Sequence, residues 1–459
     1  MKINIIAVAK DEAAYIPLWV FHHLYFGFDE IEIILNRTSD NSERILKLMS
    51  INYPNVKYSK CDWIDLLNSN VSKNLQNIAY AQAYAQAKDS GFTHVFFIDI
   101  DEFWVSSDFR KKIKDFIKNF DADTSISFQW ACELGLSEKF SLIQEKAKYV
   151  LKPHVKTLIS CLANVEKIRV HCPSLMPESP HVLANGENFI SSNKDPQICQ
   201  QSSVGLMSAF LIHRMYRSEL EYMSTLLRGN PQSNNLEFKK NRDGFHIDHK
   251  NKILLSFDSD SYAIYKKLYE DFCQFLKINE EIKIAEEYVL NRSIDAIRFV
   301  KSSIEVDLEG TKKILSGVNI LGVVRSISEF QSKINPLGDN INNVFEEYCM
   351  KFENEIKVNA KKTIKISEIV QTLRASSPEL LGQLPDQRLV AIIGAALAQV
   401  AAAVRDTEEG PVQVPRLGRF AVRQVLHKPE GKEAEVVKRV VFHPAPTAAM
   451  PLAQGVKSA

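Results

Sequence analysis

The sequence predicts an α/β fold in which a mostly parallel sheet is flanked by helices, followed by a helical region and a small α+β domain. Residues 1–104 alternate short apolar runs (2–8, 30–35, 56–61, 94–100) with segments of helical periodicity (13–26, from 43, 74–89). Strands separated by helices of this length are typical of βαβ units. Ligands of such sheets bind beyond the carboxyl ends of the strands, so we expect the functional residues there.

A change of composition near residue 360 predicts a domain boundary. Downstream of Asn359 the chain has no Asn, Tyr, Trp or Cys, whereas Asn and Tyr are frequent before it. We therefore divide the sequence into a catalytic domain at 1–250, a mainly helical region at 251–360 and a separate domain at 361–459. The break is sharp enough to suggest a fusion, natural or engineered, with a disordered carboxyl-terminal end.

Charge and cysteine usage narrow the class of protein. The formal net charge is +1, so no global field favours nucleic acid as a partner. The seven cysteines have no CxxC spacing, which predicts free thiols in a reducing compartment. No stretch approaches the ~20 apolar residues of a membrane span. We expect a cytoplasmic protein, with peripheral association at the inner face of the membrane as an option.

The strongest functional signal is the acidic end of a predicted strand. Four apolar residues at 95–98 precede Asp99, Asp101 and Glu102. Such a strand is buried on both faces and brings its carboxyl end to the ligand-binding edge of the sheet. Clustered carboxylates repel one another unless a cation lies among them, and Mg²⁺ or Mn²⁺ with diphosphate oxygens satisfies that need. A solvated acidic loop is the alternative interpretation.

Several segments, in the same order, resemble the GT-A glycosyltransferases of the bacterial family-2-like group related to family 92. The resemblance spans about residues 3–230, and any one segment alone is a weak signal. The segments are 9–12 with Trp19 and 22–29, then 36–42, 98–103, 130–135, 156–159 with His171, and 213–218 with 228–229.

The resemblance implies transfer of a sugar from a nucleotide diphosphate donor to a glycan acceptor, with inversion, in surface polysaccharide synthesis. Asp99 and Asp101 would bind Mn²⁺ or Mg²⁺, and His213 would complete the metal shell. Arg217 or Arg228 would contact the diphosphate oxygens through a bidentate fork.

The resemblance also assigns the nucleotide and acceptor chemistry. Asp11, Glu12 and Asp40, with Asn36 in the same loop, would hold the base and ribose. Asp11 stands where the family usually has Asn, and Leu35 where Asp is common, so the nucleotide stays open. Glu133 is a candidate, by position, for the base that takes the acceptor proton.

The last hundred residues resemble a second family. Two predicted helices at 366–381 and 386–404 precede a β-ribbon, and the motif at 412–422 is similar to that of HU/IHF DNA-binding proteins. Arg416 stands where that family has Gly, and the ribbon at 427–439 lacks the Arg-Asn-Pro tip that wedges between base pairs. HU-like folds are intertwined dimers, so we favour a homodimer over DNA binding.

Two other functions stay open at this point. One is a DNA-binding HU-like protein with an accessory or inactive sugar-binding domain, and the other is a catalytically inactive sugar-binding scaffold. Loss of transfer on Asp101→Ala separates an enzyme from both.

Overall fold

The computed structural model describes residues 1–193, 195–228, 238–239, 241–320, 322–324, 327, 366–376, 384–415, 418–427 and 435–444. The chain forms two compact units, Met1–Lys351 and Phe352–Ala459. The composition change near residue 360, the predicted turn residue Arg416 and the carboxyl-terminal end lie outside the described residues.

The first hundred residues form the alternating strands and helices that the sequence predicts. The elements are β1 (Ile3–Ala9), α1 (Ile16–Tyr25), β2 (Glu30–Leu35), α2 (Ser42–Asn52), β3 (Val56–Lys60), a 3₁₀ helix (Asp62–Leu66), α3 (Ser69–Ser72), α4 (Leu75–Asp89) and β4 (His94–Phe97). β2 pairs in parallel with β3, and β1 pairs in parallel with both β2 and β4. Helices return the chain between these strands, which is the connection that parallel pairing requires.

The second half of the sheet makes the prediction of a mostly parallel sheet wrong. Its elements are β5 (Glu102–Ser106), α5 (Ile113–Ile117), β6 (Ser125–Glu133), β7 (Lys146–Ser160), β8 (Val165–Lys167), β9 (Ser174–Leu175), β10 (His181–Leu183), a 3₁₀ helix (Gln201–Ser203), β11 (Ala209–His213), α6 (Glu219–Leu227) and β12 (Ile253–Ser256). The main sheet runs β3-β2-β1-β4-β7-β6-β11-β5, with β10 beside β6 and β12 beside β7.

The sheet is mixed because β7 enters antiparallel between β4 and β6, and β5 lies antiparallel to β11. Within the described residues, no helix connects β6 to β7, so the chain reverses there as a hairpin rather than crossing over. The β8–β9 pair forms a small separate sheet.

The predicted helical region packs into the first unit. It contains α7 (Ser259–Leu276), α8 (Asn279–Val306) and α9 (Leu308–Ile314). The side chain of Asp258 accepts a hydrogen bond from the Ser261 amide (2.9 Å) and so caps the start of α7. Buried Tyr265 of α7 lies 3.1 Å from a ring nitrogen of His22 in α1. These helices therefore share the core of the catalytic unit.

The second unit has the order of elements that the sequence predicts. It contains α10 (Ile366–Ser376), α11 (Asp386–Asp406) and the antiparallel strands β13 (Gly410–Val414), β14 (Gly418–His427) and β15 (Glu435–Pro444). Its relation to HU-like proteins stays a prediction.

The helix α11 corrects the expectation about membrane spans. Among the described helices, α11 is long and apolar enough to cross a membrane by length and composition. The core helix of a soluble protein passes the same test, so α11 alone does not assign a membrane location.

The cysteines are free where the structure describes them, as predicted. Burial raises the pKa of several of these thiols, to about 11 in Cys61 and about 12 in Cys132, so these two stay protonated and unreactive at neutral pH. The free, buried cysteines are Cys61, Cys132, Cys161, Cys172, Cys199 and Cys273. Cys349 lies outside the described residues.

Candidate active site

The predicted site residues follow the carboxyl ends of strands that run in the same direction through the sheet. These positions are Asp11 and Glu12 after β1, Asn36 after β2, Asp99 after β4, Glu133 at the end of β6 and His213 at the end of β11. The mixed sheet thus brings them to one edge, as the sequence predicts, although β7 lies between β4 and β6.

Asp11 connects β1 to the loop after β2. Its backbone lies in the left-handed region, with φ at 52°, a conformation that non-glycine residues rarely adopt. Its Oδ1 atom accepts hydrogen bonds from the Ser39 amide (2.7 Å) and hydroxyl (3.1 Å). Burial alone would raise the pKa of Asp11, but the Ser39 bonds and the Lys10 charge outweigh it, and the net shift is downward. Asp11 is therefore ionised and fixed at neutral pH.

Asp40 and Asn36 hold the same loop in place. Asp40 accepts hydrogen bonds from the Ala13 amide (2.8 Å) and the Ser42 amide (3.0 Å), so both of its oxygens are engaged within the protein. Burial raises the pKa of Asp40 despite these bonds. The Asn36 amide donates to Asp65 (3.2 Å) in the 3₁₀ helix. The side chains of Asp40 and Asn36 therefore stabilise the loop, and Asp65 accepts the hydrogen bond from Asn36.

The turn between β4 and β5 presents the acidic residues. The strand ends at Phe97 rather than at residue 100, and β5 begins at Glu102. The indole N–H of Trp19 is shared between the carbonyl oxygens of Asp99 (3.1 Å) and Glu102 (3.0 Å). It therefore links the two ends of the turn. The Glu102 carboxylate accepts from the Asp99 amide (2.8 Å). Glu102 is thus a structural member of the turn.

Lys156 of β7 is an internal counter-ion for this turn. Its side chain is fully buried, and its ammonium lies 3.0 Å from a carboxylate oxygen of Asp99 and 3.5 Å from one of Glu102. Burial raises the pKa of Glu102 well above its usual range, and Lys156 opposes that shift. Burial would lower the pKa of Lys156, but the two carboxylates reverse this and raise it. A protein cation therefore lies against one carboxylate oxygen of Asp99.

The side chain of Asp101 lies against His213, whereas that of Asp99 lies against Lys156. A carboxylate oxygen of Asp101 lies 3.5 Å from Nε2 of His213, and the Asp101 carbonyl accepts a hydrogen bond from the Arg214 amide (2.8 Å). Burial would raise the pKa of Asp101, but His213, Arg217 and Arg242 hold it well below its usual range. The ring of Trp130 lies 4.1 Å from the His213 ring, centre to centre, and limits its orientation.

Asp101 and His213 together fit two ligands of a divalent cation. Carboxylate oxygen and imidazole nitrogen are both donors that Mn²⁺ accepts, and the remaining positions suit phosphate oxygen and water. In the part of the chain that the structure describes, three His, Cys, Asp or Glu side chains do not come together as a complete ligand set. Asp99 lies against Lys156, and its part in the metal site stays a prediction.

A cluster of cations lies beside this pair. Arg228 forms an ion pair with Glu12, whose other carboxylate oxygen is 3.6 Å from Nη1 of Arg217. The Arg217 guanidinium lies 3.4 Å from the ring centre of Tyr15, and its backbone has a positive φ of 53°. A buried nitrogen of Arg217 and one of Arg242 make no hydrogen bond within the protein. Buried guanidinium groups with spare donors suit an anion such as a phosphate.

The structure places Glu133, the predicted base, in a buried ion pair. Its Oε2 atom accepts a hydrogen bond from Nε of Arg214 (2.7 Å), and Arg214 also donates to the carbonyl (2.8 Å) and hydroxyl (2.9 Å) of Ser141. The Glu133 side chain is only 1% exposed, and its role as the base stays a prediction. Since the Arg214 amide holds Asp101, the pair supports the turn.

Four cationic residues of the site were not predicted from the sequence: Lys156, and three that lie beyond the segments of the family resemblance. Lys239 and Arg242 precede β12, and Arg292 belongs to α8. Sequence reasoning treated the helical region as separate from the catalytic domain, and an arginine on a charged helix carries no local signal of a buried role. Lys156 lies within the resembling segment 156–159, between Val155 and Thr157 and close to the apolar pair 158–159, which is a usable signal of a buried charge.

The mixed sheet flanked by helices fits the class of α/β glycosyltransferases. Residues 6–249, just over half of the chain, match glycosyltransferase family 92, and the chain belongs to that family. No curated protein gives a significant match to the sequence. The match begins within β1, at residue 6, and ends before β12 and before α7 to α9.

Proposed function

We propose that this glycosyltransferase moves a hexose from a nucleotide diphosphate donor to a glycan acceptor, with inversion at the anomeric carbon. The observation that carries the proposal is the Asp101–His213 pair beside the buried guanidinium groups of Arg217 and Arg228. A sugar diphosphate needs cationic partners along both phosphates, because negative charge grows on the leaving group as the glycosidic bond breaks.

We assign Mn²⁺ or Mg²⁺ to Asp101 and His213. When bound there, the ion supplies Lewis-acid stabilisation of the leaving diphosphate. Arg217 and Arg228 bind the phosphate oxygens through guanidinium hydrogen bonds. Asp99 holds the turn through Lys156, and Glu133 positions Asp101 through Arg214. This assignment moves Asp99 and Glu133 from direct chemistry to positioning.

The nucleotide lies, in this proposal, against the loop after β2. Asp11, Glu12, Asn36 and Asp40 form its base and ribose wall, and the hydrogen bonds from Asp40 to Ala13 and Ser42 keep the loop in one conformation. A preorganised loop lowers the entropy lost on binding.

We assign the chain to bacterial surface polysaccharide synthesis, in the cytoplasm and at the inner face of the membrane. The second unit is a homodimerisation module, and the order of its helices and antiparallel strands supports this assignment. DNA binding is the less favoured alternative. Analytical ultracentrifugation of the full chain and of a chain ending at residue 358 tests the module. The same number of chains per particle in both forms would contradict the assignment.

A panel of nucleotide sugars with Mn²⁺ tests the enzyme assignment. The wild type is expected to hydrolyse or transfer from at least one donor, and Asp101→Asn is expected to lose at least about a hundredfold in rate, the scale of a lost electrostatic contact to the leaving group. Asp123→Asn, at an exposed position after α5, is the matched control. Donor turnover that is equal in Asp101→Asn and Asp123→Asn would contradict the proposal.

A further inference from the structure

Helix α8 lies beyond the segment that matches the family, yet one of its faces contacts the nucleotide loop. Glu281, Tyr288 and Arg292 are spaced by seven and four residues, which places them along one side of a helix. Buried Ala285 and Val289 lie between them on the same side. This side of α8 therefore faces the catalytic unit rather than solvent.

The contacts of this face reach the loop that follows β2. The Asn41 amide donates to the backbone carbonyl (2.8 Å) and the side chain (3.1 Å) of Glu281, which also pairs with Arg44 (2.8 Å). The Tyr288 hydroxyl lies 2.6 Å from the Ser39 hydroxyl, and Ser39 binds Asp11. Two residues of α8 thus fix the loop that is assigned to the nucleotide.

Arg292 reaches further, into the cation cluster. Its Nε donates to the Ser224 hydroxyl of α6 (2.8 Å), and its Nη1 lies 3.5 Å from the Asp11 carbonyl oxygen and 3.9 Å from the Asp11 carboxylate. Its side chain is about nine-tenths buried, with a relative exposure of 10%. The Ser224 bond aims the guanidinium at the end of β1, where the other site residues lie.

The cluster holds more positive than negative charge. Burial, together with Arg292 and Arg242, lowers the pKa of Arg228 to about 9. Burial, together with the charges of Arg228, Arg242 and Arg292, lowers the pKa of Lys239 well below its usual value. Among the described residues, these four cations and Arg217 face the carboxylates of Asp11, Glu12 and Asp101. Like charges crowd in a buried site at a cost that a bound anion relieves.

We propose, on the basis of the function proposed above, that α8 forms one wall of the donor pocket and that Arg292 binds a phosphate of the nucleoside diphosphate. The helical region, which the family match does not include, would then take part in donor binding. It also explains why a helix outside the matched segment shares so many polar contacts with the nucleotide loop.

Isothermal titration calorimetry tests the proposal with five nucleoside diphosphates (UDP, GDP, ADP, CDP, dTDP) and with inorganic pyrophosphate, each with Mn²⁺. The variants are Arg292→Gln and Arg292→Lys. Arg298→Gln is the matched control, because Arg298 lies on the same helix with an exposed side chain that pairs with Asp295. Thermal melting reports whether each variant folds.

We expect Arg292→Gln to weaken both the best nucleoside diphosphate and pyrophosphate by about tenfold or more, the size of one charge-assisted hydrogen bond. Arg298→Gln should bind within about twofold of the wild type. Pyrophosphate is decisive, because a residue that only organises the nucleotide loop would weaken the nucleoside diphosphate and leave pyrophosphate unchanged. That result, or unchanged affinity for both, would overturn the proposal.

Failure of the donor assignment can be distinguished from failure of the role of α8. If Arg292→Gln does not fold, Arg292→Lys decides: a loss of pyrophosphate affinity of about threefold at an unchanged melting temperature supports phosphate contact, and no loss refutes it. Wild-type protein that binds neither pyrophosphate nor any diphosphate would overturn the donor assignment itself. Wild-type binding that Arg292→Gln leaves intact would overturn the role of α8 alone.

Discussion

Lys156→Met removes the buried ammonium that lies between Asp99 and Glu102. Methionine has nearly the length of lysine and keeps the apolar packing of β7, so the change isolates the charge. The two carboxylates lie 3.0 and 3.5 Å from the ammonium, and Glu102 and Lys156 are fully buried. The variant leaves Glu102 without its cation inside the core.

Breaking a buried ion pair by removing one partner costs about 3–5 kcal/mol of the free energy of unfolding. Burial already raises the pKa of Glu102, so this carboxylate can take up a proton and limit the penalty. We therefore expect a loss near the lower end, about 3 kcal/mol. Since Asp101 shares the turn, we also expect donor turnover to fall by about tenfold or more.

Urea unfolding of the full chain, followed by far-ultraviolet circular dichroism, measures the loss. Lys148→Met is the matched control, because Lys148 lies on the same strand with an exposed side chain. The double variant Lys156→Met/Glu102→Gln should recover part of the stability, since it removes the uncompensated charge. If Lys156→Met unfolds at the same urea concentration as Lys148→Met, the counter-ion role is refuted.

Three further perturbations follow from buried groups of the same unit. Burial lowers the pKa of His22 to about 3 and of His94 to about 4, so the unfolded chain takes up more protons as the pH falls below about 6.5. The free energy of unfolding should then fall by up to about 1.4 kcal/mol per pH unit for each histidine. In thermal melts between pH 7 and 5, the melting temperature of His94→Gln should fall less than that of the wild type; equal falls would contradict this. Glu133→Gln should lower stability by about 3 kcal/mol and slow transfer without moving the pH–rate profile, whereas loss of the acidic limb would restore Glu133 as the base. Trp19→Phe removes the single indole N–H that the Asp99 and Glu102 carbonyls share, and it should lower the free energy of unfolding in urea by about 1–3 kcal/mol. A wild-type midpoint would show that the turn does not need this hydrogen bond.

The first half of the fold follows from local pattern. Apolar runs and helical periodicity are properties of short segments, so β1, β2 and the helices between them lie within a few residues of the prediction. The position of β7 could not be predicted in this way, because antiparallel insertion depends on which distant strand it meets. The register of β7 with β4 and β6 is a tertiary choice that periodicity does not encode.

The site residues also divide into those that short segments of sequence predict and those that depend on tertiary contacts. Asp101 and His213 were predicted because each lies in a segment that carries the family resemblance, and the structure brings them within 3.5 Å. The partner of Asp99 was not predicted, since Lys156 is 57 residues away along the chain and meets it only through the sheet. Arg292 was missed for a related reason: its hydrogen-bond partners, Ser224 of α6 and the Asp11 carbonyl after β1, lie on distant elements.

Metal-dependent turnover with the donor found in the nucleotide-sugar panel is the most direct test of the central claim. Wild-type protein is treated with EDTA and then titrated with Mn²⁺, in parallel with Asp101→Asn and His213→Ala. We expect EDTA to abolish transfer, Mn²⁺ to restore it in the wild type, and both variants to need at least about tenfold more Mn²⁺ or to stay inactive. Full activity in EDTA, or wild-type Mn²⁺ dependence in both variants, would contradict the assignment of the ion to Asp101 and His213.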